Sequence, residues 1–294
     1  KKLCHLNFKT INRLVTKSLV RGLPAKAYRK DGVCGACQLG KQTKSSFKSI
    51  FQSSSSRNLS LLHMDLFGPV TPVSVGNKKY TLVVVDDFSK FTWVRFLKKK
   101  KDTKSAIPDL INLLENETSL KVTSIRSDKG TEFLNDVIIS FCSSKGIRHQ
   151  LSAARTPQQN GVAERRNRTL KEASRSMIAE SSMNEAYWAE AVNTACYTQN
   201  RAMINKAHDK TPFEIYKGKR PNISHFRIFG CKCFVLNNGK DQLRGFQAKS
   251  DEGVFLGYSE TSRAFRIFNK RTLVVEESIH VVFDENIEQF VGHD

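Results

Sequence analysis

The order of apolar runs between residues 60 and 222 constrains the fold of this chain more than any other feature. Two β-branched and aromatic runs, "LLHMDLFGPV" and "KKYTLVVVDDFSKFTWVRFLKK", predict an initial strand followed by a hairpin. Helical spacing in "DTKSAIPDLINLLENET" and "NDVIISFCSSKG" then alternates with the strand-like runs "LKVTSIRSD" and "IRHQLSA". Two longer helical patterns follow, from Gln158 to about Ser182 and from about Glu185 to Ala202. This order predicts an α/β fold in which helices cover a mixed sheet.

The first helical pattern contains a proline. Ile107, Leu110 and Leu114 have helical spacing, and Asp102 precedes them as a plausible cap. Proline has no backbone N–H, and its ring clashes with the carbonyl group four residues earlier in a helix. We therefore expect this helix to begin late or to be kinked at Pro108.

The segments on either side of this core differ from it in composition. Residues 1–60 carry thirteen Lys or Arg residues and one acid, Asp31, and end in "KQTKSSFKSIFQSSSSRNLS", which has the composition of a linker. Beyond Pro221, the short runs "FRIFGCKCFVL", "EGVFLGYS", "AFRIFN" and "TLVVEESIHVVF" predict a small all-β, barrel-like unit. We therefore expect four segments: a small helical region at 1–46, a linker at 47–59, the α/β core with trailing helices at 60–222 and the β unit at 223–290.

The chain carries a large excess of positive charge. Its 48 Lys and Arg residues against 28 Asp and Glu residues give a formal net charge of +20. Such an excess predicts a polyanionic partner, with nucleic acid favoured over an acidic membrane surface. No apolar run approaches the ~18 residues that a membrane span needs, and "KKLCHLNFKT" lacks the apolar core of a signal peptide. The first residue is not Met, which predicts a processed product or a fragment of a longer polypeptide.

The cysteines predict reduced thiols and one metal site. Seven cysteines, an odd number, include a single close CxxC pair, Cys34 and Cys37, which favours an intracellular compartment. This spacing suits two ligands of one metal ion, with His5 upstream as a further candidate; a redox pair and two small core residues are the alternatives. Cys231 and Cys233 lie two apart on a predicted strand, and there core or surface thiols are favoured over a metal site.

Three acids lie at element ends. Asp65 is inside the apolar frame of "LLHMDLF", Asp128 ends the strand "VTSIRSD" and Glu164 lies near the start of the long helix, with sixty-two and thirty-five residues between them. A buried Asp is costly without a counter-ion or metal, and phosphoryl transfer by two Mg²⁺ ions about 3.5–4 Å apart needs clustered carboxylates. The alternatives are a turn or cap role for the aspartates, as expected for Asp86 and Asp87, and an ordinary ion pair for Glu164.

The motifs "HMDLFGP", "RSDKGTEF" and "TPQQNGVAERRNRTLKEA" together resemble the integrase of copia-type LTR retrotransposons. The resemblance extends over nearly the whole chain. It implies an RNase H-like core with two Mg²⁺ or Mn²⁺ ions, Asp65 bridging both ions while Asp128 and Glu164 each hold one. The chain departs from its relatives at Lys129-Gly130-Thr131, where they commonly have Asn-Gly-Gly, and at Ala154, where they tend to have Pro.

The same resemblance implies a zinc site near the N-terminus. The copia-type pre-integrase region has two His residues, then CxxC and a basic tail, and binds one Zn²⁺. Its first His would fall one position before Lys1, which leaves His5, Cys34 and Cys37 as ligands in this chain. Cys4 is a candidate replacement, although adjacent residues rarely both reach one metal.

The long helix also predicts a DNA-binding surface. Arg168 and Lys171 stand four and seven residues after Glu164, so all three project from one face. Basic residues at these two offsets contact the viral DNA end in retroviral integrases, and the resemblance extends that role to this chain. Arg165 and Arg166 are expected to be solvated charges. Further candidates for DNA contact are the polar residues before the helix, Gln158, Gln159 and Asn160, and the cations Lys232, Arg244, Lys249, Arg263, Arg266 and Lys270 of the β unit.

The resemblance implies an integrase that trims the 3′ ends of element DNA and joins them to target DNA. Its partners would be double-stranded DNA, further copies of the chain, and reverse transcriptase and other Pol products, with no membrane. It would act in a cytoplasmic virus-like particle and then in the nucleus. The alternatives are a related nuclease or DNA transposase, and a catalytically inactive relic or domesticated DNA-binding module of the same ancestry.

Overall fold

Seven α-helices and ten β-strands lie in the parts of the chain that the computed structural model describes, residues 2–29, 32–41, 55–151, 157–237 and 246–285, with the backbone alone for 157–160. The helices are α1 (Phe8–Thr16), α2 (Gly35–Lys41), α3 (Thr103–Thr118), α4 (Asp136–Lys145), α5 (Pro157–Ser181), α6 (Trp188–Ala202) and α7 (Pro212–Lys217). The strands are β1 (Leu61–Phe67), β2 (Tyr80–Asp86), β3 (Thr92–Leu97), β4 (Ser124–Ser127), β5 (Arg148–Leu151), β6 (Lys232–Leu236), β7 (Ser250–Tyr258), β8 (Phe265–Asn269), β9 (Val274–Ser278) and β10 (Val281–Asp284). None of the helices within these ranges is long and apolar enough to cross a membrane.

The first five strands form one mixed sheet in the order β3-β2-β1-β4-β5. β2 is antiparallel to both β1 and β3, whereas β1, β4 and β5 run parallel. The parallel pairs need crossovers, and the helices α3 and α4 supply them. The predicted mixed sheet with helices is therefore confirmed, and its strand order is that of the RNase H-like fold.

The side chains of β1 alternate between two hydrophobic cores, one on each face of the sheet. Leu62 and Met64 pack with the apolar face of α3, which supplies Ile107, Leu110, Ile111 and Leu114. The neighbouring strands β2 and β3 turn Val83, Val85 and Val94 toward α5 and α6, where Leu170, Ala173 and Met177 are buried as their helical spacing predicts. Because Asp65 follows Met64, this alternation directs it to the face that α5 covers.

The helix α3 begins before its proline. It starts at Thr103, five residues ahead of Pro108, so the expected late start is wrong. The Asp102 carboxylate accepts hydrogen bonds from the N–H groups of Lys98 and Lys99 and does not cap the helix itself. Burial of the apolar face of α3 outweighs the one backbone hydrogen bond that proline removes.

The regions flanking the core pack on its helices. At the N-terminal side, α2 lies against α5, and the side-chain hydroxyl of Ser176 donates to the carbonyl oxygen of Ala36 at 3.2 Å. At the C-terminal side, the remaining strands form an antiparallel sheet in the order β10-β6-β7-β8-β9, which confirms the all-β unit. This sheet contacts α6, where the Thr194 hydroxyl donates to the Leu256 carbonyl oxygen at 2.6 Å.

Candidate active site and metal centre

The parallel pairing of β1 with β4 brings Asp65 and Asp128 to the same level of the sheet. Leu61, Leu62 and His63 pair with Ser124, Ile125 and Arg126. Continuing this register by two residues places Asp128, the first residue after β4, level with Asp65. The two aspartates therefore lie level with each other on neighbouring strands.

The turn after β4 holds the Asp128 side chain in place. The N–H of Gly130 donates to Oδ1 of Asp128 at 3.0 Å. A Cβ atom at Gly130 would lie 3.0 Å from that oxygen and 2.7 Å from Oε2 of Glu132, so only glycine fits between these two carboxylates without a shift. Glu132, which was not among the expected site residues, is thus a second acid beside Asp128, and Lys100 Nζ lies 3.5 Å from its Oε1.

The helix α5 crosses the Asp65 face of β1 and brings Glu164 to it. Asp65 and Glu164 line one open cleft of about 440 Å³. The other lining residues are Gly40, Phe67, Asn167, Arg168, Lys171, Glu172 and Arg175. Asp128 lies outside this lining, but its negative charge and that of Glu164 both raise the pKa of Asp65. The fold thus places Asp65 and Glu164 in one cleft with Asp128 near enough to affect Asp65, although Glu164 is exposed and the three carboxylates do not converge as tightly as a bound metal would require.

Burial dominates the electrostatics of Asp65. Loss of hydration is the largest cause that raises the pKa of its carboxyl group, from 3.8 to about 6, and the nearby acids add to it. Two hydrogen bonds oppose this effect, from the N–H of Leu66 to Oδ1 at 2.9 Å and from Nδ2 of Asn167 to Oδ2 at 2.6 Å. A partly buried carboxylate among like charges is the arrangement that a divalent cation would stabilise.

Asn167 is a site residue that the sequence interpretation missed. Its side chain is 5% exposed, it contacts Asp65, and its own Oδ1 has no hydrogen-bond partner. Asn167 stands three residues after Glu164, so helical spacing alone predicts that both lie on one face of α5. The sequence therefore carries the signal that places Asn167 beside Glu164.

The cations of α5 line the cleft as their spacing predicts. Arg168 is exposed and its Nε lies 3.9 Å from Oε1 of Glu172. Lys171 lies with Nζ 4.4 Å from the centre of the Phe67 ring, and partial burial lowers the pKa of its ammonium group. Arg175, four residues after Lys171, is a further cleft cation that the same spacing would have identified. The side chains of Gln158, Gln159 and Asn160 lie outside the described residues.

Arg166 corrects the expectation that it is a solvated charge. Its guanidinium donates to the carbonyl oxygen of Lys90 at 2.9 Å and to Oε1 of Gln199 at 3.3 Å. Burial lowers the pKa of this group. Arg166 lies two positions before the exposed Arg168, which places them about 200° apart around the helix and therefore on different faces. Arg166 packs against α6 and stabilises the contact between α5 and α6 rather than binding DNA.

His5, Cys34 and Cys37 come together at the N-terminal side of α5. One potential ligand atom from each lies within 4.8 Å of the others, and this is the one such group of three or more His, Cys or carboxylate residues among the described ones. Nδ1 of His5 lies 3.4 Å from Sγ of Cys34. A hydrogen bond from the Cys37 backbone, followed by the influence of Cys37 and His5 side chains, lowers the pKa of Cys34, which favours the thiolate that a metal needs. Nitrogen and sulfur are the donor atoms of structural zinc, and this group supplies three of its usual four ligands.

Cys4 does not join this group. Its side chain is 4% exposed and its Sγ lies 3.3 Å from Sδ of Met177 in the core beneath α5. Burial raises the pKa of this thiol to about 11, so it is a poor source of thiolate. Cys231 and Cys233 are likewise buried, with pKa values raised to about 12, and are core thiols as expected. All seven cysteines are free thiols.

Several candidate DNA contacts in the β unit are paired within the chain. Lys232 and Lys270 both contact the carboxylate of Glu252, and Arg266 contacts that of Glu190 on α6 at 2.8 Å. These ion pairs join strands to each other and the sheet to α6. Arg244 lies outside the described residues, and contact of Lys249 and Arg263 with DNA stays a prediction.

Three family models match the chain in succession. A GAG-pre-integrase domain model matches residues 1–42, an integrase core domain model matches 55–157, and a retroviral polymerase SH3-like domain model matches 231–293. The first contains His5, Cys34 and Cys37, and the second contains Asp65 and Asp128. Glu164 lies just beyond the second match.

Two curated plant proteins are similar over most of this chain. The retrovirus-related Pol polyprotein from transposon TNT 1-94 of Nicotiana tabacum is 35% identical over 289 residues, which are 97% of this chain and 21% of that protein. The corresponding polyprotein from transposon RE1 of Arabidopsis thaliana is 33% identical over 261 residues, 88% of this chain and 17% of that protein. The chain thus spans about a fifth of the length of the curated relatives it matches.

Solved structures with related folds are more distant in sequence. The HTLV-2 integrase catalytic core domain in complex with magnesium is 23% identical, with a TM-score of 0.43, over 54% of this chain and 97% of that one. A simian T-cell lymphotropic virus intasome in complex with the PP2A regulatory subunit B56 gamma is 15% identical, with a TM-score of 0.48, over 84% and 87%. The chain thus matches pre-integrase, integrase core and SH3-like domain models in that order, and its homologues are retrovirus-related Pol polyproteins of plant transposons.

Proposed function

We propose that this chain is an integrase that processes the 3′ ends of element DNA and transfers them into target DNA. The observation that carries this proposal is the cleft in which Asp65, level with Asp128, faces Glu164 and a row of cations on α5. A polynucleotide needs both features, since carboxylates hold the metal ions and cations hold the phosphates. The family match supports the integrase type, and the two reactions are our proposal.

The residues of the cleft divide this work between them. Asp65, Asp128 and Glu164 would hold two Mg²⁺ or Mn²⁺ ions, which supply Lewis-acid stabilisation at the attacking and leaving oxygens. Asn167 keeps the Asp65 carboxylate oriented through its 2.6 Å hydrogen bond. Glu164 is exposed at the rim, so it can turn toward Asp65 when the charge of a cation offsets the repulsion between the two acids.

The cations of α5 suit a DNA backbone that passes along the helix. Arg168, Lys171 and Arg175 follow Glu164 at intervals of four, three and four residues, so they lie in a row on the same face. Their phosphate contacts would place the scissile bond beside the carboxylates without reading sequence. Gln158, Gln159 and Asn160 were expected to precede the helix but lie in the first turn of α5, and we assign them to the same surface.

The second metal centre is proposed to be structural. His5, Cys34 and Cys37 would hold one Zn²⁺, since their donor atoms already lie within 4.8 Å of one another. These side chains would supply three of the four donors that structural zinc takes, after a small closing movement that brings their ligand atoms to about 2.0–2.3 Å from the metal.

The partners and location follow from the proposed reaction. Two DNA ends must be joined together, so we propose a homo-multimer that acts on double-stranded DNA alongside reverse transcriptase and other Pol products. Such a chain would work first in a cytoplasmic virus-like particle and then in the nucleus. The formal charge of +20 suits the polyanionic substrate.

The proposal is tested by incubating the purified chain with oligonucleotides that match the element ends and a target plasmid. Wild type with Mg²⁺ is expected to give joined products, and Glu164→Gln is expected to give none while binding DNA normally. Glu172→Gln, which alters a cleft acid outside the proposed ligand set, is the matched control and is expected to stay active. A wild-type chain that binds DNA but neither trims nor joins it would favour the alternative, an inactive relic or domesticated DNA-binding module.

A further inference from the structure

The group formed by His5, Cys34 and Cys37 lies beside α5, the helix that also carries Glu164. A Cβ atom at Gly40 of α2 would lie 2.5 Å from Oγ and 2.9 Å from the backbone nitrogen of Ser176, so α2 packs closely on the second half of α5. Gly40 also lines the cleft that contains Asp65 and Glu164. One wall of the candidate active site therefore comes from the segment that carries Cys34 and Cys37.

A carboxylate of α5 contacts the far side of the His5 ring. Oε2 of Glu180, in the last turn of α5, lies 2.6 Å from Nε2 of His5. The other ring nitrogen, Nδ1, lies 3.4 Å from Sγ of Cys34. The two nitrogens of an imidazole point away from each other, so the ring presents one to the sulfurs and one to the carboxylate. The side chains of His5 and Glu180 are only 6% and 14% exposed, which makes this contact part of the packed structure.

A carboxylate on one ring nitrogen of a His orients the other ring nitrogen toward a bound metal. A His that binds metal through one nitrogen almost always donates the N–H of the other to a carboxylate, a carbonyl group or water. The acceptor fixes which tautomer is present and raises the basicity of the ligating nitrogen. Glu180 is placed to accept from Nε2–H, which leaves the lone pair of Nδ1 directed toward Cys34 and Cys37.

We propose that Glu180 is a positioning residue of the N-terminal zinc site and that it ties this site to the catalytic helix. The proposal rests on the zinc site proposed above. Glu180 lies sixteen residues after Glu164 on the same continuous helix, about 24 Å along its axis. Zinc binding would then strengthen the packing of α2 and His5 against α5 and stabilise the cleft wall at Gly40.

The first test measures zinc affinity on the full chain by competition with a chromophoric chelator, so it does not depend on DNA joining. Glu180→Ala is expected to weaken zinc binding about 10- to 100-fold, the usual effect of losing such a partner. Glu180→Gln, which keeps an acceptor oxygen without the charge, is expected to fall between it and wild type. Glu172→Gln, two turns earlier on α5, is the matched control and is expected to bind zinc as wild type does.

Nitrogen-15 spectra of the zinc-loaded chain give a second readout that loss of folding cannot mimic. We expect His5 to show a metal-bound Nδ1 and a protonated Nε2. Unchanged zinc affinity in Glu180→Ala, or a metal bound through Nε2 in wild type, would overturn the role of Glu180. A wild-type chain that binds no zinc would overturn the metal centre and this inference together, while leaving the proposal for Asp65, Asp128 and Glu164 standing.

Hydrogen exchange tests the link to the helix. Removing zinc from wild type is expected to speed the exchange of amides in α2 and in the last two turns of α5, while β1 stays protected. If exchange in α5 is unchanged, the coupling between zinc binding and the helix is refuted.

Discussion

Replacing Asp65 with Asn should stabilise the metal-free protein at alkaline pH while abolishing catalysis. Burial raises the pKa of Asp65 from 3.8 to about 6. A shift of this size makes the ionised carboxylate cost about 3 kcal/mol of folding free energy at pH 8. Asn removes the charge but can accept only one of the two hydrogen bonds from Leu66 and Asn167, and loss of the other bond lowers the stability by about 1 kcal/mol. The expected net gain for Asp65→Asn is about 2 kcal/mol.

The stability gained by Asp65→Asn depends on pH, because the cost of burying the carboxylate exists only where Asp65 is ionised. A carboxyl group whose folded pKa lies above its unfolded value destabilises the fold where it is ionised in both states, at pH above about 6. The penalty declines as the pH falls from about 6 toward 3.8 and is absent below that value. The gain from Asp65→Asn should therefore be present at pH 8 and gone near pH 4.

The assay is urea denaturation of both proteins in EDTA at pH 8 and at pH 4, followed by fluorescence. Glu172→Gln is the control, because it removes a carboxylate from the same cleft beside Arg168 and should bring no gain. Added Mg²⁺ should stabilise wild type and not Asp65→Asn, since only wild type keeps the metal ligand. A variant no more stable than wild type at pH 8, or one with equal gains at both pH values, would show that burial of the Asp65 charge is not the dominant effect.

Four other substitutions, at Asn167, Arg166, Arg168 and Lys171, test separate parts of the site. Asn167→Ala should weaken Mg²⁺ binding about 10- to 100-fold by freeing the Asp65 carboxylate, measured by Mg²⁺ titration of stability; unchanged affinity contradicts its orienting role. Arg166→Ala should lower the free energy of unfolding by about 2–4 kcal/mol, because the buried acceptors of Arg166 lose their donor. Arg168→Ala should change the free energy of unfolding by less than about 0.5 kcal/mol. Equal effects of the two substitutions would contradict the different environments of these side chains. Lys171→Ala should reduce the slope of log DNA affinity against log salt by about 1, and an unchanged slope removes it from the phosphate contacts.

The sequence by itself determined the order of elements and the positions of the carboxylates. Strand and helix periodicity depends on contiguous residues, so the mixed sheet, the long helix from Gln158 and the β unit could all be predicted locally. Asp65, Asp128 and Glu164 each lie in a short motif, so these residues could also be identified from local sequence. Even the row of cations on α5 follows from helical spacing alone.

Only the tertiary structure determined which groups those side chains contact. Arg166 and Arg168 are alike in sequence, but packing of α5 against α6 partly buries the first and leaves the second exposed at the cleft. The contact between His5 and Glu180 joins residues 175 apart, and no local pattern encodes it. Burial and long-range contact depend on which faces the whole chain brings together. Those faces also decide how far the pKa of Asp65 rises and which wall closes the cleft.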